Sequence, residues 1–121
     1  MNLVDENKEW VKKDQGYCKK ILLNEKEIGE EGTAYLRVRF PAGLKIGPHY
    51  HKKQTEILYV TKGNAVLTVN KKDYSAEPGK SFIFRHKDLH LIDNSKSQEE
   101  FEVIIFKVNE PRENDFFEAK E

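Results

Sequence analysis

Residues 43–63 read GLKIGPHYHKKQTEILYVTKG, and residues 79–94 read GKSFIFRHKDLHLIDN. Side chains alternate along an extended segment, so His49 and His51, on either side of Tyr50, are expected to point to one face. After the polar link at 52–55, Glu56 opens a strand-like run at 56–61 in which Glu56, Leu58 and Val60 share a face. A carboxylate thus heads an inward apolar row. His90 begins a second extended run at 90–94 and brings a third imidazole from a distant part of the chain. Charged and imidazole groups on an inward face need a partner. Three imidazole nitrogens and one carboxylate oxygen suit a single divalent metal ion, with iron, manganese, nickel, zinc, cobalt and copper all compatible. The predicted ligands are His49, His51, Glu56 and His90, and an octahedral ion would keep two positions for a small molecule. The alternative is two surface histidines, a solvated acid and a hydrogen-bonded core histidine.

Working outward, the punctuation is that of an all-β chain. Extended segments are expected at 17–23, 33–40, 45–51, 56–61, 65–69, 72–75, 81–84, 90–94 and 101–108, short and separated by turn residues. Gly63-Asn64 reads as a hairpin turn and Pro78-Gly79 as the turn before SFIF. The run EVIIF is nearly continuous apolar and reads as a strand covered on both sides. Nine short strands without helical periodicity imply a sandwich or barrel. Residues 1–14 read as a short helix or arm with Leu3, Val4, Trp10 and Val11 to bury. From about residue 109 the tail reads as irregular, with Phe116 and Phe117 able to dock.

These two stretches resemble the paired motifs of the cupin superfamily, written G(X)5HXH(X)3-4E(X)6G and G(X)5PXG(X)2H(X)3N. Gly43, His49, His51, Glu56 and Gly63 match every spaced position of the first, and Gly79, His90 and Asn94 match the second. Arg85 and Lys87 stand where that family usually has proline and glycine, so the loop at 85–89 lacks two residues that would restrict it. The resemblance covers residues 43–94 and implies a jelly-roll β-barrel (double-stranded β-helix) filling one domain at 1–121. It assigns His49, His51, Glu56 and His90 to the family's usual metal ligands. Cupins include dioxygenases, isomerases, epimerases, decarboxylases, sugar-sensing modules and storage proteins, so the family implies fold and site better than reaction.

Composition narrows the function classes. The 121 residues carry 21 Lys+Arg and 21 Asp+Glu, a formal net charge of zero, with the lysine pairs scattered among acids. A nucleic-acid surface would show a basic stripe, and no nucleic-acid partner is expected. The N-terminus has no basic head followed by an apolar segment, and no apolar run reaches membrane-spanning length, so neither a signal peptide nor a membrane partner is expected. With Cys18 the only cysteine, an internal disulfide is impossible and a cytoplasmic location is the expectation.

Pocket residues are predicted at Arg37 and Arg39, which share a face with Tyr35 and would clamp an anion, and at Lys45 near the barrel mouth. The competing reading places these arginines in solvent or at an interface. His86, four residues before His90, is a candidate extra ligand or catalytic proton carrier, a carrier role a lysine could also fill, against a plain solvated loop histidine. Gln54, Asn94 or backbone carbonyls are candidates to orient the imidazoles. Three functions follow: a metal-dependent enzyme of dioxygenase or isomerase type acting on a small polar or anionic metabolite, a non-catalytic metabolite- or sugar-binding or sensing module, and a metal-stabilised structural protein. Exposed strand edges and the family's habit add the expectation of a homodimer.

Overall fold

The computed structural model describes residues 7–120. Its elements run β1 (Val11–Lys12), β2 (Cys18–Leu23), α1 (Glu25–Ile28), β3 (Ala34–Phe40), β4 (Lys45–Tyr50), β5 (Thr55–Lys62), β6 (Ala65–Val69), β7 (Lys72–Ala76), β8 (Ser81–Phe84), β9 (His90–Asp93), β10 (Phe101–Val108) and β11 (Phe117–Glu118). Nine of these strands lie where period-two patterning places them. The others were hidden for local reasons. β1 and β11 are two-residue strands, and the single turn α1 is announced only by its capping box, in which Asn24 Oδ1 accepts from Glu27 N and the Glu27 carboxylate accepts from Asn24 N.

Two antiparallel sheets face each other, ordered β1-β2-β3-β10-β5-β8 and β11-β4-β9-β6-β7. This is the jelly-roll architecture, but the sheets are not closed into a barrel. Between them lies the core, built by alternation: Leu36, Val38 and Phe40 from β3, Leu58 and Val60 from β5, and Phe101, Val103 and Ile105 from β10 meet Ile46, Ala65, Leu67 and Ile92 of the second sheet. Burying the valine, leucine, isoleucine and phenylalanine side chains contributes ~1.5–3 kcal/mol each.

Four local expectations are corrected. Gly63-Asn64 is not a hairpin turn: β5 pairs with β10 and β8 while β6 pairs with β7 and β9, so the chain crosses between sheets there. The tight two-residue hairpin is Asn70-Lys71, joining β6 to β7 with both residues at positive φ. The run EVIIF is central in its sheet yet half open, since Ile104 and Phe106 are only partly buried. The tail is not irregular throughout, because Phe117 and Glu118 pair with Tyr50 and His49. At the N-terminus, Leu3 and Val4 lie outside the described residues, Trp10 is half-buried and Val11 is exposed on an arm rather than a helix.

A bulge between Ile46 and His49 in β4 puts the site in place. Strict alternation would leave Ile46 and His49 on opposite faces. The extra residue at Gly47-Pro48 shifts the phase, so His49 and His51 join Ile46 on the inner face.

Candidate metal centre

Each imidazole reaches the space between the sheets from a different constraint. His49 and His90 are register partners on β4 and β9, His51 follows the end of β4, and Glu56 lies inside β5 opposite Phe84. All four are buried. Ring centroids of His49 and His90 are 4.1 Å apart, and those of His51 and His90 5.3 Å. Phe84 stacks on His90 at 4.3 Å and Phe116 on His49 at 4.5 Å, which leaves the rings little rotational freedom.

Hydrogen bonds fix which nitrogen faces inward. His49 Nδ1 donates to Gly47 O (2.9 Å), His90 Nδ1 to Asp88 O (3.0 Å) and His51 Nδ1 to Asp115 O (2.6 Å). A carbonyl only accepts, so Nδ1 carries hydrogen in every ring and each Nε2 presents its lone pair to the centre. One nitrogen from each histidine lies within 4.8 Å of the others, a group that can hold a metal ion. Glu56 Oε1 lies 2.8 Å from His51 Nε2 and 3.8 Å from His90 Nε2. Two acceptors at 2.8 Å repel unless a proton or a metal cation lies between them. The donor chemistry therefore fits a divalent ion.

Acidities follow from this crowding. Burial, with the neighbouring His49, pushes His90 down to about 4, and burial likewise lowers His49. Burial opposes charge on His51, but the Glu56 carboxylate outweighs it and raises the ring's pKa. For Glu56, burial alone would raise the carboxyl; the hydrogen bond to His51 and the charges of Lys107, His51 and His90 hold it at about 2.

Of the orienting candidates, the backbone carbonyls do the work. Asn94 instead donates through Nδ2 to the carbonyls of Phe40, Pro41 and Glu99, pinning strand ends rather than an imidazole. The loop at 85–89 keeps its shape without proline and glycine. Lys87 itself adopts φ 71° where the motif has glycine, and its N–H donates to His51 O. Asp88 accepts from Arg85 N and Asn70 Nδ2, supplying the restraint that proline would otherwise give.

The pocket residues are corrected. Arg37 and Arg39 lie on the outer face of the first sheet, paired with Glu102 at 2.6 and 3.1 Å and stacked over Trp10. Alternation sends Leu36, Val38 and Phe40 inward and these arginines outward. Lys45 lines a groove of about 780 Å³ on the second sheet's far side, which His90 also borders but His49, His51 and Glu56 do not. His86 sits in an exposed loop and does not line the cavity.

The cavity that holds the four donors has a volume of about 340 Å³. Residues of the segment at 13–19 and of the tail at 110–116 line it, and Tyr17, Lys19 and Lys107 are among its wall residues. Sequence reasoning missed these residues. For Lys107 the signal was present: it falls on the same alternation as Val103 and Ile105. Asp115 was missed because its role is long-range, its carboxylate accepting from Lys52, Lys53 and Gln54 N–H while its carbonyl holds His51.

A model of the cupin domain matches residues 36–107, more than half of the chain, and the protein belongs to the cupin family. A protein of Thermotoga maritima called an oxalate-binding protein is 27% identical over 85 residues, 69% of this chain and 70% of that one. The structure of KdgF from Halomonas sp. superposes with a TM-score of 0.77 at 18% identity, covering 93% of this chain and 96% of the other. A predicted oxalate decarboxylase from Thermotoga maritima gives 0.72 at 21% identity, covering 89% and 99%. Among the described residues no helix is long and apolar enough to cross a membrane.

Proposed function

We propose that this cupin binds one divalent metal through His49, His51, His90 and Glu56 and acts as an enzyme, of oxygenase or isomerase type, on a small anionic metabolite. The observation that carries this reading is the convergence of three Nε2 lone pairs and a carboxylate, each imidazole held by a backbone carbonyl. A bound ion would supply Lewis-acid charge and open positions at which an oxygen donor of the metabolite is polarised. Around it the chain's own residues orient the ligands: Phe84 and Phe116 brace two of the rings. The donor set is compatible with iron, manganese, nickel, zinc, cobalt or copper. Non-catalytic metabolite binding is the second reading, favoured by the name of the Thermotoga maritima relative.

Titration of the metal-free protein with cobalt(II), followed by visible absorption, tests the centre. Saturation near one equivalent, lost in His49→Ala and His90→Ala, supports it. Equal uptake by these variants refutes it. Turnover of a candidate metabolite by the loaded protein, against binding without change, then separates enzyme from binding module.

A further inference from the structure

Lys13, Lys19 and Lys107 line the same cavity as the metal donors, and the last two stand on strands of the first sheet. Lys107 pairs in register with Glu56 on one side and Ala34 on the other, and Lys19 pairs with Val38, so both ammonium groups share the inner face of the first sheet. Inward lysines are rare because burying an ammonium is costly without a counter-charge. Among the described residues Lys107 has one hydrogen-bond partner, Glu110 Oε2 at 3.0 Å, and it feels the charge of Glu56. Lys19 is half-buried and has no hydrogen bond or ion pair among the described residues; burial and the nearby charge of Lys107 both disfavour its protonation. Tyr17 is half-buried beside them, with its ring packed on Phe40 at 5.6 Å.

The charges do not balance within the chain once the metal site is filled. A divalent ion with Lys13, Lys19 and Lys107, set against Glu56, Glu110 and Asp115, leaves an excess of two positive charges among the groups lining a cavity of about 340 Å³. The remaining acid of the lining, Glu113, is already paired with Lys53, and the Asp115 carboxylate is turned to three backbone N–H groups. A charge excess of this kind is met by a ligand.

We propose that Lys19 and Lys107 form an anion-recognition subsite that selects a short dicarboxylate, one carboxylate directed at the histidine centre and the other held between the two ammonium groups. This rests on the metal reading above and adds the substrate class. It replaces the outer-face arginines with inner-face lysines as the chain's anion clamp.

The test is calorimetric titration of cobalt(II)-loaded protein with succinate and with its monoamide, succinamate. Wild-type protein binds succinate at least about tenfold more tightly, about 1.4 kcal/mol. Lys19→Gln weakens succinate by about tenfold and succinamate little, so the preference disappears, while cobalt uptake is unchanged. Lys107→Gln behaves alike. Because Lys107 also offsets Glu56 and its loss can disturb folding, Lys19→Gln decides. A Lys19→Gln protein that keeps the wild-type succinate preference overturns the subsite and leaves the metal centre standing. Failure of wild-type protein to take up cobalt overturns the metal reading instead, and lysine-dependent succinate preference in the metal-free protein then supports the subsite on its own.

Discussion

Truncating Asp115 to alanine should damage both fold and metal site, although the residue lies outside both cupin motifs. Its carboxylate accepts from Lys52 N (2.9 Å), Lys53 N (3.1 Å) and Gln54 N (3.0 Å), and its own carbonyl takes the His51 Nδ1 hydrogen. Hydrogen bonds to a charged acceptor contribute ~1.5–3 kcal/mol each. Lys52 and Lys53 are exposed and their N–H groups can turn to water, whereas Gln54 is buried and its N–H is orphaned. The net loss is therefore about 2–4 kcal/mol rather than the full sum. For a domain of this size that lowers Tm by about 10–15 °C. The Asp115 carbonyl remains in the variant but is no longer held in place, so metal affinity falls about 10- to 100-fold, the usual effect of losing a group that orients a ligand. Thermal melting of the metal-free protein and cobalt titration read the two effects separately. Asp115→Asn, which keeps one carbonyl acceptor, falls between. A melting point within about 3 °C of wild type, together with an unchanged metal Kd, would refute the claim that the tail clamps the ligand loop.

Gly63→Ala destabilises by at least about 3 kcal/mol, because Gly63 has φ +83° and an added Cβ would collide with Glu100 O. Gly79→Ala, at φ +93° with open space around it, costs only about 1 kcal/mol, and urea midpoints that rank the two alike contradict this reading. Lys87→Gly relieves left-handed strain and raises stability by about 0.5–1 kcal/mol; a lower midpoint would show that the lysine side chain holds the loop. Glu102 sets an acid limit. Burial would raise its carboxyl, but Thr61, Arg39 and Arg37 outweigh that and hold it below the ordinary range. Its stabilising contribution is thus complete above the unfolded carboxyl value and lost as pH falls through the lower folded value. Wild type should lose more stability than Glu102→Gln between about pH 5 and pH 3, and parallel stability curves would contradict the assignment. Arg37→Ala, on the outer face, should leave cobalt and succinate binding unaltered.

How much of this was legible follows from the range of each signal. Strand positions and the inward row of Glu56, Leu58 and Val60 were readable because alternation is local. So was the meeting of His49, His51 and His90, since the spaced motif carries it across the chain. Which face of β3 turns inward was ambiguous from alternation alone: the pattern fixes two opposite rows without saying which one meets the core, and the arginines were placed on the wrong one. Leu36, Val38 and Phe40 decide it by their burial. The β5–β6 connection failed for a related reason, since a glycine-asparagine pair signals a reversal but not whether the chain stays in the same sheet. Asp115 and Lys19 act through partners 61–63 residues away and across a strand pair respectively, and no local pattern marks them.

The central claim is that four side chains from three strands and a loop hold one cation. Elemental analysis by plasma mass spectrometry, on protein purified without chelator or affinity metal, tests it most directly. The account predicts close to one divalent transition-metal ion per chain in wild type and almost none in a His49→Ala, His51→Ala, His90→Ala triple variant that remains folded. Metal-poor wild-type protein that stays so after incubation with each candidate ion, or equal metal in the triple variant, would contradict it.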